Sequence, residues 1–207
     1  MSIRLNGSTS GYTEIDAPAV AGSNTLVLPT GNGSSGQFLQ TNGSGTLSWA
    51  GGGKILQVVS TTKTDTFSST SLSLTDVTGL SVSITPSSTS NKVLITGSVC
   101  WSISDTTPYL SYFVLVRGST QICIADAAGN RSRATFGSQG VYSTDNTPFA
   151  PLNFLDSPSS TSSVTYKIQT SVEGGRTVYV NRGGESDGDQ SIVARFTSTI
   201  TAMEVAA

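Results

Sequence analysis

The chain has 207 residues, of which 36% are hydrophobic, so it can bury one sizeable core and carry a thin extension. Only 12% of the residues are charged, and serine, threonine, glycine and asparagine are over-used, which favours strands and turns over helices. Eleven basic and thirteen acidic residues give a net charge of -2 without a basic stripe, which excludes nucleic acid as an expected partner.

The N-terminal part of the chain, residues 1–53, holds short apolar islands (IRL, LVL, FL and LSW) separated by turn residues. Each island is too short to bury itself against the others, so this segment must borrow its core from elsewhere. In GNGSSGQFLQTNGSGTLSWAGGG, residues 31–53, the glycines look like a tether. A disordered linker, however, gains nothing by exposing Trp49 and three other large apolar side chains, so we expect an ordered structure that needs partners.

The composition changes near residue 54, where strand-length apolar runs begin to alternate with turn residues. Apolar and polar residues alternate in LSVSIT (80–85) and SVTYKIQ (163–169), so one face of each strand is expected to be buried. Ten strands, enough for an antiparallel β-sandwich, are predicted at 55–60, 71–77, 80–85, 92–101, 109–117, 120–125, 149–155, 163–171, 176–181 and 191–205.

Two of these runs break the alternation, because KVLITGSVCW (92–101) and SYFVLVR (111–117) are apolar on both faces. Such strands must be covered on both sides, either by a second sheet or by another subunit, and we favour a subunit contact for part of them. The run ADAAGNRSRA (125–134) is predicted as a loop, because Gly129 and Asn130 disfavour a helix.

The sequence offers little catalytic chemistry. Histidine is absent, which removes the commonest general base and most zinc sites, and no cofactor is expected. The acidic residues are scattered through predicted turns, and GGESDGDQ, with Glu185, Asp187 and Asp189, is interpreted as a solvated hairpin tip, with a cation-binding loop as the alternative. Cys100 and Cys123 lie in apolar runs and are interpreted as buried thiols, with a disulfide or a reactive role as the alternative.

No apolar run approaches the roughly 20 residues that cross a bilayer. The start of the chain also lacks the apolar core of a secretion signal, so we expect assembly in a cytoplasm and no membrane span.

Aromatic rings and arginines near predicted loops are the residue types that stack on sugars and hydrogen-bond to them, although core packing is the alternative for each ring. Loops at the end of a sandwich commonly carry function, so the loops around 102–108, 126–147 and 182–190 are predicted as a contact surface. The candidate contact residues are Trp101, Tyr109, Arg131, Arg133, Tyr142, Arg182 and Asp187, with Tyr179 beside them.

Three short motifs follow one another in LVLPTGNGSSGQFLQTNGSGTLSWAGGG: Leu28-Pro29, then Gly36-Gln37-Phe38-Leu39, then Gly45-Thr46-Leu47-Ser48-Trp49. Together they resemble a motif of tailed-bacteriophage virion appendages, especially tail-fibre and spike proteins of marine and cyanobacterial phages. The segments GLSVSITPSSTSNKVLI, VLVRGSTQI, FLDSPSSTSSVTYKIQ and STITAMEVAA resemble the knob attached to such motifs. The chain lacks the long repetitive shaft of large tail fibres, which leaves open a short fibre, an adaptor-mounted spike or a fibre on the capsid.

The resemblance implies a homotrimeric, β-rich appendage whose N-terminus binds another virion protein. Its knob would point outward, commonly toward a host-surface glycan or lipopolysaccharide. On this basis we expect a virion-attachment segment (1–25), an extended, Gly-rich trimerising collar (26–53) and a jelly-roll-like antiparallel β-sandwich knob (54–207). Three copies of the collar are expected to meet on a threefold axis, with a core formed by Leu28, Phe38, Leu39, Leu47 and Trp49.

Two other functions remain as alternatives to a tail fibre or spike. A capsid decoration or head-fibre protein would share the fold and bind the shell instead of the tail. A polysaccharide depolymerase would need cooperating carboxylates in a cleft, which the scattered acids disfavour. The leading expectation is therefore a virion structural protein on the tail or capsid surface that is not an enzyme.

Overall fold

The computed structural model describes residues 3–20, 22–104, 110–139, 147–184 and 194–207. The chain divides into two compact units, residues 1–53 and 54–207, at the point where the composition changes. Every helix or strand assigned in the described ranges is a β-strand, which confirms the all-β prediction. In these same ranges, no helix is long and apolar enough to cross a membrane.

The first unit consists of two antiparallel hairpins, β1–β2 and β3–β4. A parallel bridge between Val27 and Thr46 joins the preceding segment to the second hairpin. None of the buried apolar residues of the described chain lies in this unit. Its strands are β1 (Ile3–Asn6), β2 (Tyr12–Ile15), β3 (Gln37–Thr41) and β4 (Leu47–Gly51).

The second unit contains the other strands of the described chain, arranged in two antiparallel sheets. These strands are β5 (Ile55–Lys63), β6 (Phe67–Ser69), β7 (Thr75–Ile84), β8 (Lys92–Ile103), β9 (Leu110–Arg117), β10 (Thr120–Ile122), β11 (Phe136–Gln139), β12 (Phe149–Asp156), β13 (Val164–Val172), β14 (Val178–Val180) and β15 (Ser198–Val205).

In the first sheet, β10 and β11 lie one after the other along one edge of β9, and β13 and then β7 follow on its other side. In the second sheet, β12 pairs with one edge of β8, and β15 and β14 pair with successive parts of its other edge. The sheet ends with β5, which pairs with β15, and β6, which pairs with β14.

The strand order is that of a jelly roll. If β5/β6, β10/β11 and β14/β15 are each counted as one interrupted strand, the described residues of the second unit form eight strands in two sheets of four. The first sheet then has the order fifth, fourth, seventh and second strand, and the second has the order sixth, third, eighth and first. This order confirms the predicted antiparallel, jelly-roll-like sandwich.

The core lies between the two sheets. Val82 and Tyr166 of the first sheet pack in one cluster with Ile95 and Ile200 of the second, and each is at most 3% exposed. The alternation predicted for LSVSIT is confirmed, because its apolar residues are buried and the serines between them are exposed.

Several strand boundaries differ from the prediction. The runs 71–77 and 80–85 belong to the single strand β7, in which a bulge around Gly79, with φ of 81°, shifts the register opposite β13. The short strands β6 and β11 escape the sequence analysis, because they span three and four residues and are rich in serine or glycine. Among the described residues, the strand predicted at 191–205 begins at Ser198.

The sequence predicts that β8 and β9 are covered on both faces, partly by another subunit. The structure leaves room for such a subunit only at β8. From Phe113 to Val116 every side chain of β9 is at most 1% exposed within a single chain, so this strand requires no neighbouring subunit. On β8, by contrast, outward-facing Leu94 and Thr96 remain half-buried.

Candidate interaction surfaces

The first hairpin has one apolar and one polar face. Ile3, Leu5 and Ile15 share a face and are 58–63% exposed. On the opposite face Arg4 pairs with Glu14 at 3.2 Å and lies 4.0 Å from the centre of the Tyr12 ring. A two-stranded hairpin is marginally stable alone in water, so this apolar face suits contact with another protein surface.

The second hairpin places the predicted trimer core on two faces. Leu39 lies opposite Trp49, and Leu47 shares their face, whereas Phe38 lies opposite Ala50 on the other face. Because the face alternates along each strand, one axis cannot receive all of these side chains from a single hairpin face. Leu28, outside the strands, is 68% exposed.

Trp49 is held by its own chain. Its Nε1–H donates to the Gly31 carbonyl at 2.6 Å, and a Cβ at Gly33 would lie 2.7 Å from the indole ring. Gly33 also has a φ of 69°, which a glycine adopts without strain. The glycine-rich stretch is therefore folded around the tryptophan, which remains half-buried.

In the second unit, the register defines two opposite ends of the sandwich. Val205 pairs with both Lys92 and Ile55, and the Ala206 amide donates to the Lys54 carbonyl at 2.7 Å, so the chain enters at the Lys92 end of β8. Ile103 ends β8 eleven residues further on, roughly 37 Å away along an extended strand. We call the Ile103 end the distal end.

The distal end carries the start of the predicted contact loop around 102–108 and the last part of the one around 126–147, whose first part lies between β10 and β11. β8 ends there. The next strand, β9, begins at Leu110, which pairs with Gln139 at the end of β11. β12 also starts there, because Phe149 pairs with Cys100. Ser104 and Gln139 therefore lie at the end opposite the point of chain entry, and the predicted contact residues that follow them, 105–109 and 140–146, lie outside the described ranges.

The predicted contact residues have different environments. Trp101 is 3% exposed and packs against Phe113, with ring centres 5.6 Å apart, so it is a core residue and the prediction of a contact role for it is corrected. Arg131 and Arg133 are exposed in the loop between β10 and β11, and each donates to a carbonyl of that loop. Arg182 is half-buried over the Tyr179 ring at 4.4 Å. The other three candidates, Tyr109, Tyr142 and Asp187, lie outside the described residues, as does the loop from Glu185 to Asp189.

Asn181 closes the base of the third predicted loop. This buried residue has a φ of 65°, and its Nδ2 donates to the Lys63 and Asp65 carbonyls, both at 2.9 Å. Its Oδ1 accepts from Ser198 Oγ at 2.7 Å, and Ser198 Oγ accepts from the Cys100 amide at 3.0 Å. The end of β14 and the start of β15 are thereby joined, and we call this arrangement the Asn181 clip.

Two buried carboxylates are held by structural partners. Asp156 accepts from Arg117 Nη1 at 2.9 Å and from the Tyr166 hydroxyl at 2.7 Å, and burial together with this bond raises the pKa of Tyr166. Glu204 is desolvated, which raises its pKa, but hydrogen bonds from Asn91 and Ser87 outweigh this and lower the pKa overall.

The cysteines and the acids form no reactive cluster in the described structure. Cys100 and Cys123 are free, and burial raises the pKa of Cys100 to about 11, so its thiol is protonated at neutral pH. Among the described residues no group of three or more Cys, Asp or Glu side chains lies close enough together to hold a metal ion.

The outer faces of the two sheets differ in charge. On the first sheet, Asp76 accepts from Lys167 at 2.8 Å and from Gln169 at 2.7 Å, and these contacts lower the pKa of Asp76. On the second sheet, three successive outward rows run across β12, β8, β15 and β5 without a charged residue. We call these three rows the uncharged face.

The first row of the uncharged face is apolar on all four strands, and consists of Leu155, Leu94, Met203 and Val58. The next two rows hold only serine, threonine, asparagine and proline, and include a hydroxyl–hydroxyl bond of 2.7 Å between Ser60 and Thr201. Leu155 and Val58, at the two edges, are 47% and 58% exposed.

Neither the Asn181 clip nor the uncharged face is predicted by the sequence. The residues next to Asn181 in the sequence indicate only a turn. They do not show that its amide reaches residues more than 100 positions away. The apolar row joins residues near positions 58, 94, 155 and 203, which only strand pairing aligns. One local signal did exist, because the apolar residues on both faces of β8 predicted that a second sheet or another subunit covers its outer face.

No protein-family model matches this chain, and no curated protein is similar to it in sequence. Among solved structures, it is similar to a chain of infectious bursal disease virus, Gt strain, with 18% identity and a TM-score of 0.37, over 98% of this chain and 46% of that one. It is also similar to the VP2 subviral particle of infectious bursal disease virus, with 18% identity and a TM-score of 0.38, over 78% and 40% of the two chains.

The chain thus spans less than half the length of these viral chains. Similarity of this degree carries no argument about function, and the jelly-roll assignment rests on the strand order described above.

Proposed function

We propose that this chain is a homotrimeric virion appendage, attached through its N-terminal residues to another virion protein and presenting a knob to a host-surface glycan or lipopolysaccharide. The observation that carries the proposal is the first unit, where ten large apolar side chains of the described residues are 44–93% exposed. Soluble monomers rarely leave so many apolar groups in water, so these residues favour contacts with other chains.

Two further observations support an appendage. The motifs within residues 26–49 resemble those of phage tail fibres and spikes, and they lie in this same first unit. In the second unit, the chain enters the jelly roll at one end, and the predicted contact loop around 102–108 and the last part of the one around 126–147 start at the other. A knob held at its point of entry would therefore present those loops outward.

Avidity explains why a trimer suits this role. Glycan contacts at exposed loops are individually weak, and three linked copies raise the apparent affinity without any new contact. Arg131 and Arg133 are exposed and have the planar donors that suit sugar hydroxyls and phosphate groups, although each also bonds a carbonyl of its own loop.

The proposal is tested on virions and on cells. Immunogold electron microscopy with antibodies against residues 54–207 should label the tail tip or tail side. Labelling spread evenly over the shell would instead support a capsid fibre, and a particle without label would contradict both. Purified protein should also compete with virions for adsorption, and the double variant Arg131→Ala/Arg133→Ala should compete less well than Arg4→Ala.

The depolymerase alternative has its own test. Incubation of the purified chain with host capsule or lipopolysaccharide should release no reducing sugar while the protein still binds the polysaccharide. Release of reducing ends that is lost on substitution of acidic residues would contradict a purely adsorptive role.

A further inference from the structure

The uncharged face combines one apolar row with two rows of serine, threonine, asparagine and proline. Its first row carries four large apolar side chains side by side across the whole sheet, two of them about half exposed. On the outer face of the first sheet, by contrast, a carboxylate, an ammonium group and an amide form a hydrogen-bonded set. The hydroxyl and amide groups in the other two rows of the uncharged face are readily solvated, so the apolar row is the part of this face that solvation does not explain.

We propose that the uncharged face is where copies of this chain contact one another in the knob. The inference rests on the proposed homotrimer and adds to it the surface that joins the three knobs. The partner is therefore a second copy of this chain, not the host and not another virion protein.

The charge pattern favours a second copy over other partners. Where copies of one chain meet near a symmetry axis, equivalent residues come close together. A charged residue there would be repelled by the same residue in the other copies. Twelve outward positions without a charged residue meet this requirement. A phosphate, an acidic glycan or a charged virion protein would find no ionic partner in these rows.

Chain connectivity brings the same strand close to the other copies. β5 starts at Ile55, directly after the first unit ends at residue 53, and two residues span only about 7 Å. If three copies are held together through residues 26–53, their β5 strands therefore start close to one another. Ile55, Leu56 and Val58, near that start, are 47%, 45% and 58% exposed.

The size of the face suits one part of a larger contact. Four strands and three rows cover roughly 400 Å², about half of what each partner contributes to an interface of standard size. The face therefore needs a second contact region to form a stable assembly, and the exposed apolar residues of the first unit provide one in the same chain.

The test uses the full-length chain and the exposed residue Val58. Val58→Asp and Val58→Lys should both weaken assembly at least about tenfold, because each places an unpaired charge in the contact. Leu72→Asp is the matched control, since Leu72 is 71% exposed and lies outside the uncharged face. Sedimentation velocity and light scattering should give three times the 21.3 kDa chain mass for wild type and control, and a shift toward one chain mass for both Val58 variants.

The outcomes separate this inference from the function on which it rests. A trimer that persists in both Val58 variants overturns the inference and leaves the proposed function standing, whereas a monomeric wild-type chain overturns both. If only one sign of charge disrupts assembly and the other strengthens it, Val58 contacts a charged surface and the inference is also wrong.

A second measurement needs no substitution. Met203 lies in the apolar row and is half-buried in one chain. Its oxidation by dilute peroxide should be slow in the assembled protein and should lose this protection when the protein is diluted until it dissociates. Equal oxidation rates in the two states would overturn the inference even if a variant misfolded.

Discussion

The two units of this chain differ in how far their apolar side chains are buried. In residues 54–207, Phe113, Tyr166 and Leu80 are completely buried between two sheets. In residues 3–53, by contrast, Ile3 and Leu28 are more than 60% exposed. The first unit has strands but no interior, because two hairpins present too little surface to enclose one. A segment can therefore have secondary structure before it has a core, and the core can come from other chains.

The two tryptophans provide one reporter for each unit. Trp101 is in the jelly-roll core, and Trp49 is half-buried against Gly33 in the second hairpin. The fluorescence of single-tryptophan variants can therefore follow each unit separately.

The largest effect is expected from Phe113→Ala. The ring is fully buried, stacks on Phe136 with 5.0 Å between ring centres and contacts Trp101, so its loss leaves a cavity in the core. The free energy of unfolding should fall by about 3–5 kcal/mol in urea denaturation followed by Trp101 in a Trp49→Phe background. Phe38→Ala, in the first unit, is the matched control and should leave the Trp101 transition unchanged, and an equally large loss there would show that the two units unfold together.

The Asn181 clip should give the next largest effect. Asn181→Ala removes three side-chain hydrogen bonds at a buried site, and we expect a loss of about 2–3 kcal/mol by the same denaturation measurement. Asn181→Gly should cost about 1 kcal/mol less, because glycine adopts the positive φ without strain. Asn130→Ala, at an exposed loop position, is the control and should be neutral. Identical losses for the Ala and Gly variants would show that backbone strain plays no part.

Acid should weaken the second unit through Glu204. Its pKa in the folded chain lies below the ordinary 4.5, so the unfolded chain binds the proton first as the pH falls. The stabilisation is therefore present above pH 4.5 and is lost as the pH falls from there through the folded pKa.

Denaturation at a series of pH values should show this loss in wild type. Glu204→Gln should flatten the profile and cost about 1 kcal/mol at pH 7, because it weakens bonds from Ser87 and Asn91. Glu173→Gln, at an exposed position, is the control. An unchanged profile in Glu204→Gln would assign the acid sensitivity to other carboxylates.

The smallest effect is expected from Trp49→Phe. This change removes the bond to the Gly31 carbonyl and should lower local protection by about 1 kcal/mol, measured by amide hydrogen exchange in residues 27–49. Unfolding of the second unit, reported by Trp101, should not change. If it did change, the two units would be energetically coupled.

The sequence predicted those features of the fold that depend on neighbouring residues. Alternation in LSVSIT gave the buried face of β7, and the glycine and asparagine of ADAAGNRSRA gave a loop. Strand order depends on pairing between distant residues, and no local pattern specifies it. The same limit explains why a contact role was predicted for Trp101. A tryptophan near a loop has the same sequence neighbours whether it faces solvent or, as here, the core.

Gly79 shows how a correct physical rule can mislead. A glycine between two apolar runs usually marks a turn, and the sequence therefore predicts two separate strands there. The structure uses its positive φ for a bulge inside one strand, because the paired strand β13 continues past it. Only the partner strand distinguishes the two outcomes.

The Asn181 clip has a consequence for engineering. Because Ser198 hydrogen-bonds directly to Asn181, the end of β14 and the start of β15 are joined by a contact that does not pass through the loop between them. Doubling the length of such a closed segment costs only about 0.6 kcal/mol. A foreign peptide spliced in after Gly184 should therefore be displayed on an intact jelly roll, which makes this position a place to graft new binding specificities.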